Sequence, residues 1–271
     1  MQFKSEILTN VELSPCYFRM RITASPGILD SKAGQFAMVR VNDAIDPLLR
    51  RPFGIYDIGS SKTPYTDCGS QTYMEILYKV VGKGTAMLAE LKAGDKLDVI
   101  APLGKGFDFG DVKSEKILVG GGIGLAPLYL LAKKLADSHT VRLFAGGRNK
   151  DDILCITEFE RLGVETYVAT DDGTLGDQGL VTQVMMKHLA SVTSPKQIFA
   201  CGPMPMLKAV AGIAKEMKVS CQVSMEAYMA CGMGACLGCV IKGIKHKPEQ
   251  PDYRCVCKDG PVFNAKELLW E

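Results

Sequence analysis

The chain has 271 residues, of which 47% are hydrophobic and 23% charged, so its composition is that of a globular protein and argues against disorder or a coiled coil. Its 32 Lys and Arg residues nearly balance 30 Asp and Glu residues, and a net charge of +2 predicts binding neither to nucleic acid nor to a membrane surface. The longest uncharged stretch, residues 117–132, is too short to span a bilayer, and residues 1–6 do not resemble a secretory signal. We therefore expect a cytoplasmic protein.

Residues 1–102 form the first predicted domain. Phe18, Met20 and Ile22 alternate with polar neighbours, and the same period of two recurs from Met74 to Val80. This alternation predicts half-buried antiparallel strands, and turn-forming residues interrupt them at the spacing of a small barrel. The segment is predicted to be an antiparallel β-barrel.

Two motifs in this segment carry groups suited to a pyrophosphate. Residues 50–55, Arg-Arg-Pro-Phe-Gly-Ile, offer a guanidinium, and residues 82–85, Gly-Lys-Gly-Thr, offer backbone N–H groups and a hydroxyl. Each motif taken alone is more often structural.

Residues 103–218 form the second predicted domain, in which strand and helix patterns alternate. A short apolar run at 116–119 precedes a glycine-rich turn and a helical stretch at 127–136, and further strand-like runs follow at 141–145, 164–168 and 197–201. Such alternation predicts a Rossmann-like parallel α/β sheet with crossover helices.

The glycine-rich turn is a variant of the dinucleotide-binding G-x-G-x-x-G motif, in which glycines let the backbone approach a phosphate. A tight strand-to-helix junction is the alternative interpretation. Cys201 follows a later strand at the same sheet edge, where it either lines a nicotinamide pocket or is a small buried residue. No carboxylate closes the second strand, where Arg148 could pair with a 2′-phosphate, so the choice between NAD and NADP stays open. The candidate NAD-binding residues are Gly120, Gly121, Gly122, Gly124, Cys201, Gly202 and Pro203.

Residues 219–271 form the third predicted domain, and five of the ten cysteines lie between residues 231 and 257. Cys231, Cys236 and Cys239 have the C-x4-C-x2-C spacing of plant-type [2Fe–2S] proteins. A structural zinc site is the alternative. The fourth ligand is Cys255 or Cys257, which are expected to share one face of a strand.

The order of these motifs resembles the ferredoxin-NADP reductase superfamily, and with the C-terminal cysteines the whole chain resembles the electron transfer subunits of type B dihydroorotate dehydrogenase. The matching segments are 33–36, 48–52, 80–85, 102–107, 170–173 and 259–263. The resemblance implies FAD on the barrel, NAD(H) on the sheet and a [2Fe–2S] cluster near the C-terminal end.

The resemblance also implies individual site residues. The family's last cluster cysteine lies two residues before Asp-Gly-Pro-Val-Phe, which selects Cys257, and Gly54 departs from the Ser or Thr that the family usually has near the flavin. The implied flavin contacts are Arg51, Pro52, Phe53, Gly54, Leu77, Tyr78, Lys79, Gly84 and Thr85. The implied cluster ligands are Cys231, Cys236, Cys239 and Cys257.

The implied function is that of an oxidoreductase component in pyrimidine biosynthesis, with no residue acting as general acid or base. Electrons pass from the FMN of a dihydroorotate-oxidising catalytic subunit through [2Fe–2S] and FAD to NAD+, in a heterotetramer with two of each chain. Two other interpretations are a flavin and iron–sulfur subunit of a sulfhydrogenase or NADH-dependent ferredoxin:NADP+ oxidoreductase, and a non-catalytic, zinc-stabilised assembly module.

Overall fold

The computed structural model describes residues 1–62, 70–110, 114–189 and 196–270. None of the helices in these ranges is long and apolar enough to cross a bilayer. The strands within them are β1 (Gln2–Ser14), β2 (Tyr17–Thr23), β3 (Phe36–Arg40), β4 (Arg51–Lys62), β5 (Ser70–Lys79), β6 (Lys96–Leu103), β7 (Glu115–Gly121), β8 (Val141–Gly147), β9 (Glu165–Thr170), β10 (Asp177–Gln178), β11 (Lys196–Cys201), β12 (Ser220–Ser224), β13 (Val240–Lys242), β14 (Tyr253–Cys255) and β15 (Val262–Asn264). The helices are α1 (Lys83–Glu90), α2 (Leu125–Leu135), α3 (Ile156–Arg161), α4 (Val181–Leu189), α5 (Met204–Glu216) and α6 (Val256–Asp259).

The first six strands close into an antiparallel barrel in the order β1-β2-β5-β4-β3-β6. Met20 and Ile22 of β2 are fully buried inside it, as are Met74 and Ile76 of β5. The period of two in the sequence therefore marks the inward-facing side chains, and the predicted barrel is confirmed.

The second layer is a seven-stranded sheet in the order β10-β9-β8-β7-β11-β12-β15. Its strands run parallel except for β15, which is antiparallel to β12. The predicted parallel α/β sheet is confirmed. Both β12 and β15 follow residue 218, so the segment from 219 onward supplies two strands of the sheet in addition to the cysteine loop.

Helix α2 joins the two layers, because it connects β7 to β8 and also packs against β4 of the barrel. Near its N-terminal end, Pro127 lies against Gly54, where a Cβ added to the glycine would be 3.5 Å from Cβ of the proline. Two residues further along each element, the rings of Tyr56 and Tyr129 stack with centroids 4.5 Å apart. These contacts hold the barrel and the sheet in one arrangement.

The turns that follow β7 and β11 are packed too closely for a side chain. These strands are neighbours, with Gly120 opposite Cys201, and a Cβ on Gly124 would lie 2.2 Å from the backbone oxygen of Cys201. Because a carbonyl in a sheet cannot move aside without losing its hydrogen bonds, Gly124 must remain a glycine.

We expect Gly124→Ala to lower the free energy of unfolding by about 3 kcal/mol, because the added methyl group forces the two turns apart. Gly212 is the matched control: it is exposed within α5 and has no atom within 4 Å of an added Cβ, so Gly212→Ala is expected to stabilise by about 0.5 kcal/mol. Urea unfolding of both variants checks the pair. Equal stability of the two proteins would contradict the packing described here.

Candidate functional site

One part of the site lies where β4 begins beside α1. The Arg51 guanidinium covers Gly84, since a Cβ on that glycine would be 2.3 Å from Nε of the arginine. The Thr85 hydroxyl donates to the oxygen of Gly82 at 2.9 Å and accepts from the nitrogen of Val81 at 2.9 Å, so it holds the turn rather than pointing outward. The first N–H groups of a helix lack intrahelical acceptors. A guanidinium and a set of N–H donors therefore lie side by side, which suits a pyrophosphate.

The two adjacent arginines have different roles. The Nη2 atom of Arg50 lies 2.7 Å from the side-chain oxygen Oδ1 of Asp98. Its Nη1 atom donates to the backbone carbonyl oxygen of Asp98, also at 2.7 Å. Burial by itself raises the pKa of the Asp98 carboxyl, but the hydrogen bonds from Arg50 and Gln2 outweigh it and lower that pKa. Arg50 is thus a structural residue, whereas Arg51 faces the turn at Gly84.

Residues 77–79 lie where β5 extends beyond its pairing with β4, which ends at Ile55 opposite Ile76. Leu77 and Tyr78 are only 2% and 1% exposed, and the Tyr78 hydroxyl donates to Oδ1 of Asn10 at 3.0 Å. Burial raises the pKa of Tyr78 to about 12. Both residues therefore belong to the barrel core.

The Lys79 side chain belongs to a charged network between barrel and sheet. Its Nζ atom lies 2.7 Å from the Tyr17 hydroxyl and 3.3 Å from Oδ1 of Asp152, and the tyrosine donates to that same oxygen at 2.5 Å. Arg148 donates to Oδ2 from Nε at 2.9 Å and from its backbone nitrogen at 3.1 Å. Burial alone raises the pKa of the Asp152 carboxyl, but the bonds from Arg148 and Tyr17 hold it far below the ordinary value.

Asp152 was not among the residues that the sequence singled out. The signal for it is the spacing of four residues between Arg148 and an acidic residue, which allows an ion pair across one turn. The contact with Tyr17 and Lys79 has no sequence signal, since these residues come from the other layer.

At the carboxyl edge of the sheet, the glycine turn of residues 120–124 and residues 201–203 come together. Gly122 has a φ of +54°, a conformation that favours glycine, and the space beside it is open apart from the Tyr17 hydroxyl, 3.9 Å from an added Cβ. Cys201 is 2% exposed, and burial, with a further contribution from the charge of Glu226, raises the pKa of its thiol. Cys201 is therefore a buried residue whose backbone, rather than its thiol, supports the turn.

The cysteine loop brings Cys231 and Cys236 together at its exposed end. The nitrogen of Met233 lies 3.5 Å from Sγ of Cys231, and that of Gly238 lies 3.4 Å from Sγ of Cys236. Burial would raise the pKa of the Cys231 thiol, but the surrounding backbone N–H groups outweigh it and lower that pKa to about 6. N–H groups directed at sulfur favour the thiolate that a metal requires.

Cys239 and Cys257 form a second, buried pair. The nitrogen of Cys257 donates to Sγ of Cys239 at 3.4 Å, and Sγ of Cys257 accepts from Gly234 at 3.1 Å. The expectation that Cys255 and Cys257 share a strand face is wrong: β14 ends at Cys255, and Cys257 lies in α6. In the described residues, no three Cys, His, Asp or Glu side chains are arranged to hold one metal ion.

The three parts of the site meet at the strand pair β3–β4. A Cβ on Gly232 in the cysteine loop would lie 2.4 Å from Cγ of Met38, and Met38 is the β3 residue opposite Pro52. Two residues along β4, Gly54 contacts Pro127, three residues after Gly124. The cysteine loop and the first turn of α2, which follows the glycine turn, thus contact β3–β4 directly.

Two family profiles match the chain: "Oxidoreductase NAD-binding domain" over residues 118–212 and "Iron-sulfur cluster binding domain of dihydroorotate dehydrogenase B" over residues 226–269. A protein of Desulforamulus reducens is 35% identical over 99% of this chain and 98% of its own length. One of Bacillus pumilus is 38% identical over 97% and 96%. Both are named "Dihydroorotate dehydrogenase B (NAD(+)), electron transfer subunit". The chain belongs to this family.

Solved structures agree with the family. An NADH-dependent reduced ferredoxin-NADP oxidoreductase, whose structure was described in connection with flavin-based electron bifurcation, has a TM-score of 0.82 and 30% identity and covers 98% of this chain and 90% of its own. The cytochrome b5 reductase domain of Ulva prolifera nitrate reductase has a TM-score of 0.63 and covers 80% of this chain and 93% of its own, and at 19% identity it shows the fold alone. The expected fold and the iron–sulfur and NAD-binding domains are confirmed, and the cysteine loop belongs to an iron–sulfur domain rather than to a zinc site.

Proposed function

We propose that this chain receives electrons from a partner subunit that oxidises dihydroorotate and delivers them to NAD+, a reaction of pyrimidine biosynthesis. Its full-length relatives are named electron transfer subunits of that NAD(+)-linked enzyme. The observation that carries the proposal is the convergence on β3–β4 of the cysteine loop, through Gly232 with Met38, and of helix α2, which follows the glycine turn, through Pro127 with Gly54. Electron transfer requires redox groups that are held close together in a fixed order.

The barrel is the proposed FAD site. Arg51 and the first turn of α1 would hold the pyrophosphate, and the backbone of residues 77–79 lies where β4 and β5 separate. A flavin exchanges a hydride with nicotinamide and single electrons with an iron–sulfur cluster, and FAD would supply this conversion here. The proposed FAD-binding residues are Arg51, Pro52, Phe53, Gly54, Leu77, Tyr78, Lys79, Gly84 and Thr85.

Gly54 has room for the hydroxyl side chain that the family usually carries at this position. The nearest atom to an added Cβ is Cβ of Pro127 at 3.5 Å, which is an ordinary contact. The glycine is therefore not required by packing, and only its backbone N–H is offered to the flavin.

Four cysteines are the proposed ligands of a [2Fe–2S] cluster. Such a cluster takes two thiolates on each iron. Cys231 with Cys236 and Cys239 with Cys257 form two such pairs, and the four thiols with their N–H donors fit the donor set that the cluster needs. The assignment leaves Cys255, whose nitrogen donates to Asp259 at 2.8 Å, outside the ligand set.

The carboxyl edge of the sheet is the proposed NAD site. The close approach of Gly124 to the backbone of Cys201, and the open space beside Gly122, leave main-chain N–H groups of the turn accessible to a pyrophosphate. The proposed NAD-binding residues are Gly120, Gly121, Gly122, Gly124, Cys201, Gly202 and Pro203.

The proposed partner is an FMN-containing dihydroorotate dehydrogenase catalytic subunit, in a heterotetramer with two of each chain. Large apolar side chains are exposed around the cysteine loop: Tyr228 is 98% exposed, and Met233 and Leu237 are more than half exposed. Exposed apolar residues beside a redox centre mark the surface that docks against a protein partner. Cys236, itself exposed, would bring the cluster to that surface.

Another complex of NADH-dependent ferredoxin-NADP oxidoreductase type is the second candidate, because a structure so described covers 98% of this chain. The two candidates differ in the partner that accepts or supplies electrons at the exposed cysteine loop. Copurification with an FMN subunit that oxidises dihydroorotate supports the first candidate and contradicts the second.

We expect Arg51→Ala to weaken FAD binding by about 10- to 100-fold, because it removes a charge-assisted hydrogen bond to phosphate. Arg50→Ala is the control and should keep its FAD while losing about 1–3 kcal/mol of stability. Protonation of Asp98 removes the Arg50 pair from the unmodified protein, so this stability difference should shrink as the pH falls below the ordinary pKa of an aspartate. Extracted flavin identity, FAD per chain and unfolding at several pH values measure these outcomes. Unchanged FAD content in Arg51→Ala would refute its role.

We expect Cys257→Ser to abolish or strongly alter the EPR signal of the reduced cluster and to lower the iron content. Cys255→Ser should leave the EPR signal and the iron content unchanged. The physical reason is that Sγ of Cys257 accepts a hydrogen bond from Gly234 and its nitrogen donates to Sγ of Cys239, whereas the nitrogen of Cys255 donates to Asp259. An intact signal in Cys257→Ser together with its loss in Cys255→Ser would reverse the assignment.

The proposed roles of the two subunits lead to a further expectation. The purified chain should oxidise NADH with an artificial dye but should show no reaction with dihydroorotate, and adding the catalytic subunit should give dihydroorotate-dependent NAD+ reduction. Cys236→Ser should remove this coupled reaction while sparing much of the NADH-to-dye reaction. Reduction of NAD+ by dihydroorotate with the isolated chain would show that the proposed function is wrong.

A further inference from the structure

The charged network around Asp152 lies at the place where a doubly wound sheet distinguishes the two nicotinamide dinucleotides. In such sheets the residues just after the second strand contact the 2′-hydroxyl of NAD or the 2′-phosphate of NADP, and an arginine there accommodates the phosphate. Here β7 and β8 are that strand pair, with Gly121 opposite Gly146. Arg148 therefore leaves the sheet at the same edge as Gly122, next to the proposed pyrophosphate turn.

The Arg148 guanidinium is already engaged. Its Nε lies 2.9 Å and its Nη2 lies 3.5 Å from the two carboxylate oxygens of Asp152, and the carboxylate also accepts the backbone N–H of Arg148. The Arg148 side chain is 73% exposed, whereas that of Asp152 is only 9% exposed. The arginine is thus accessible to a ligand, but the Nε–Nη2 edge of its guanidinium is directed at a buried anion.

Asp152 is in turn held by the barrel, through the Tyr17 hydroxyl at 2.5 Å and Nζ of Lys79 at 3.3 Å. A carboxylate with three partners from two layers cannot easily follow the arginine when it moves. Bidentate binding of a 2′-phosphate through the Nε–Nη2 edge would require Arg148 to leave Asp152, and the network would then lose one of its two cations. The backbone nitrogen of Asp171 donates to the carbonyl oxygen of Gly147 at 3.0 Å, so a second carboxylate lies at the end of β8. The hydrogen bond to Asp152, and to a smaller extent the charge of Asp171, raise the pKa of Arg148.

We infer that Asp152 is a specificity-determining residue that makes the site select NAD(H) over NADP(H) by holding the Arg148 guanidinium. The inference rests on the proposed NAD site at the glycine turn. A 2′-hydroxyl needs no cation and leaves the Arg148–Asp152 pair in place, whereas a 2′-phosphate competes with Asp152 for the same donors.

Calorimetric titration of the flavin-loaded protein with NAD+ and NADP+, and with the fragments 5′-AMP and 2′,5′-ADP, tests the inference independently of turnover. Asp152→Asn retains an oxygen for Tyr17 and Lys79 but releases the guanidinium, so NADP+ and 2′,5′-ADP should bind at least tenfold more tightly while NAD+ changes less than threefold. The double variant Asp152→Asn with Arg148→Ala should lose this gain. Asp151→Asn, which removes a charge from the same turn without touching Arg148, should leave the preference unchanged.

A folded Asp152→Asn protein that binds NADP+ no better than the unmodified chain, or an equal gain in Asp151→Asn, would overturn the inference. If Asp152→Asn does not fold, the NADP+ affinity of the single variant Arg148→Ala tests the inference instead. Because the arginine is held by Asp152, its removal should change NADP+ affinity less than threefold, and a tenfold loss would show that it already binds the phosphate. Failure of the unmodified protein to bind NAD+ would refute the proposed NAD site itself, so the two failures can be distinguished.

Discussion

The packing of α2 against β4 is the contact on which the rest of the site depends. One end of this helix continues the glycine turn of the sheet, and its outer face meets the barrel strand that begins with Arg51. The approach of Pro127 to Gly54 and the stacking of Tyr129 on Tyr56 bury apolar surface from both layers and leave little freedom for sliding. A shift of this helix would therefore move the proposed flavin and nicotinamide sites apart.

The cysteine loop is held against the strand pair β3–β4 by strand pairing rather than by helix packing. It leaves the sheet after β12 and returns to it as β15, which pairs with β12 in antiparallel fashion. Both ends of the iron–sulfur segment thus belong to strands of the sheet. Between them, Gly232 of the cysteine loop contacts Met38 of the barrel. The cysteines are positioned by long-range pairing, while Cys236 and Tyr228 remain exposed for a partner.

Several charged residues connect the barrel to the sheet. Asp152 accepts hydrogen bonds from Tyr17 and Lys79 of the barrel and from Arg148 of the sheet, and Arg19 of β2 reaches Glu158 of α3 at 2.5 Å. Partly buried ion pairs of this kind are sensitive to the exact position of both layers, so they favour one relative orientation. The same network lies beside the proposed dinucleotide site.

Features that depend on local spacing could be predicted from the amino-acid sequence alone. Alternation of apolar residues specified the barrel strands, the run Gly120–Gly124 specified the turn after β7, and C-x4-C-x2-C specified three closely spaced thiols, because each pattern acts within one element or loop. Tertiary structure decided which residues from distant elements meet. It turned the chain between Cys255 and Cys257, placed Leu77 and Tyr78 in the core, and brought Asp152 to Lys79. These contacts depend on how the layers pack, and residues far apart in the chain leave no periodic signal of their meeting.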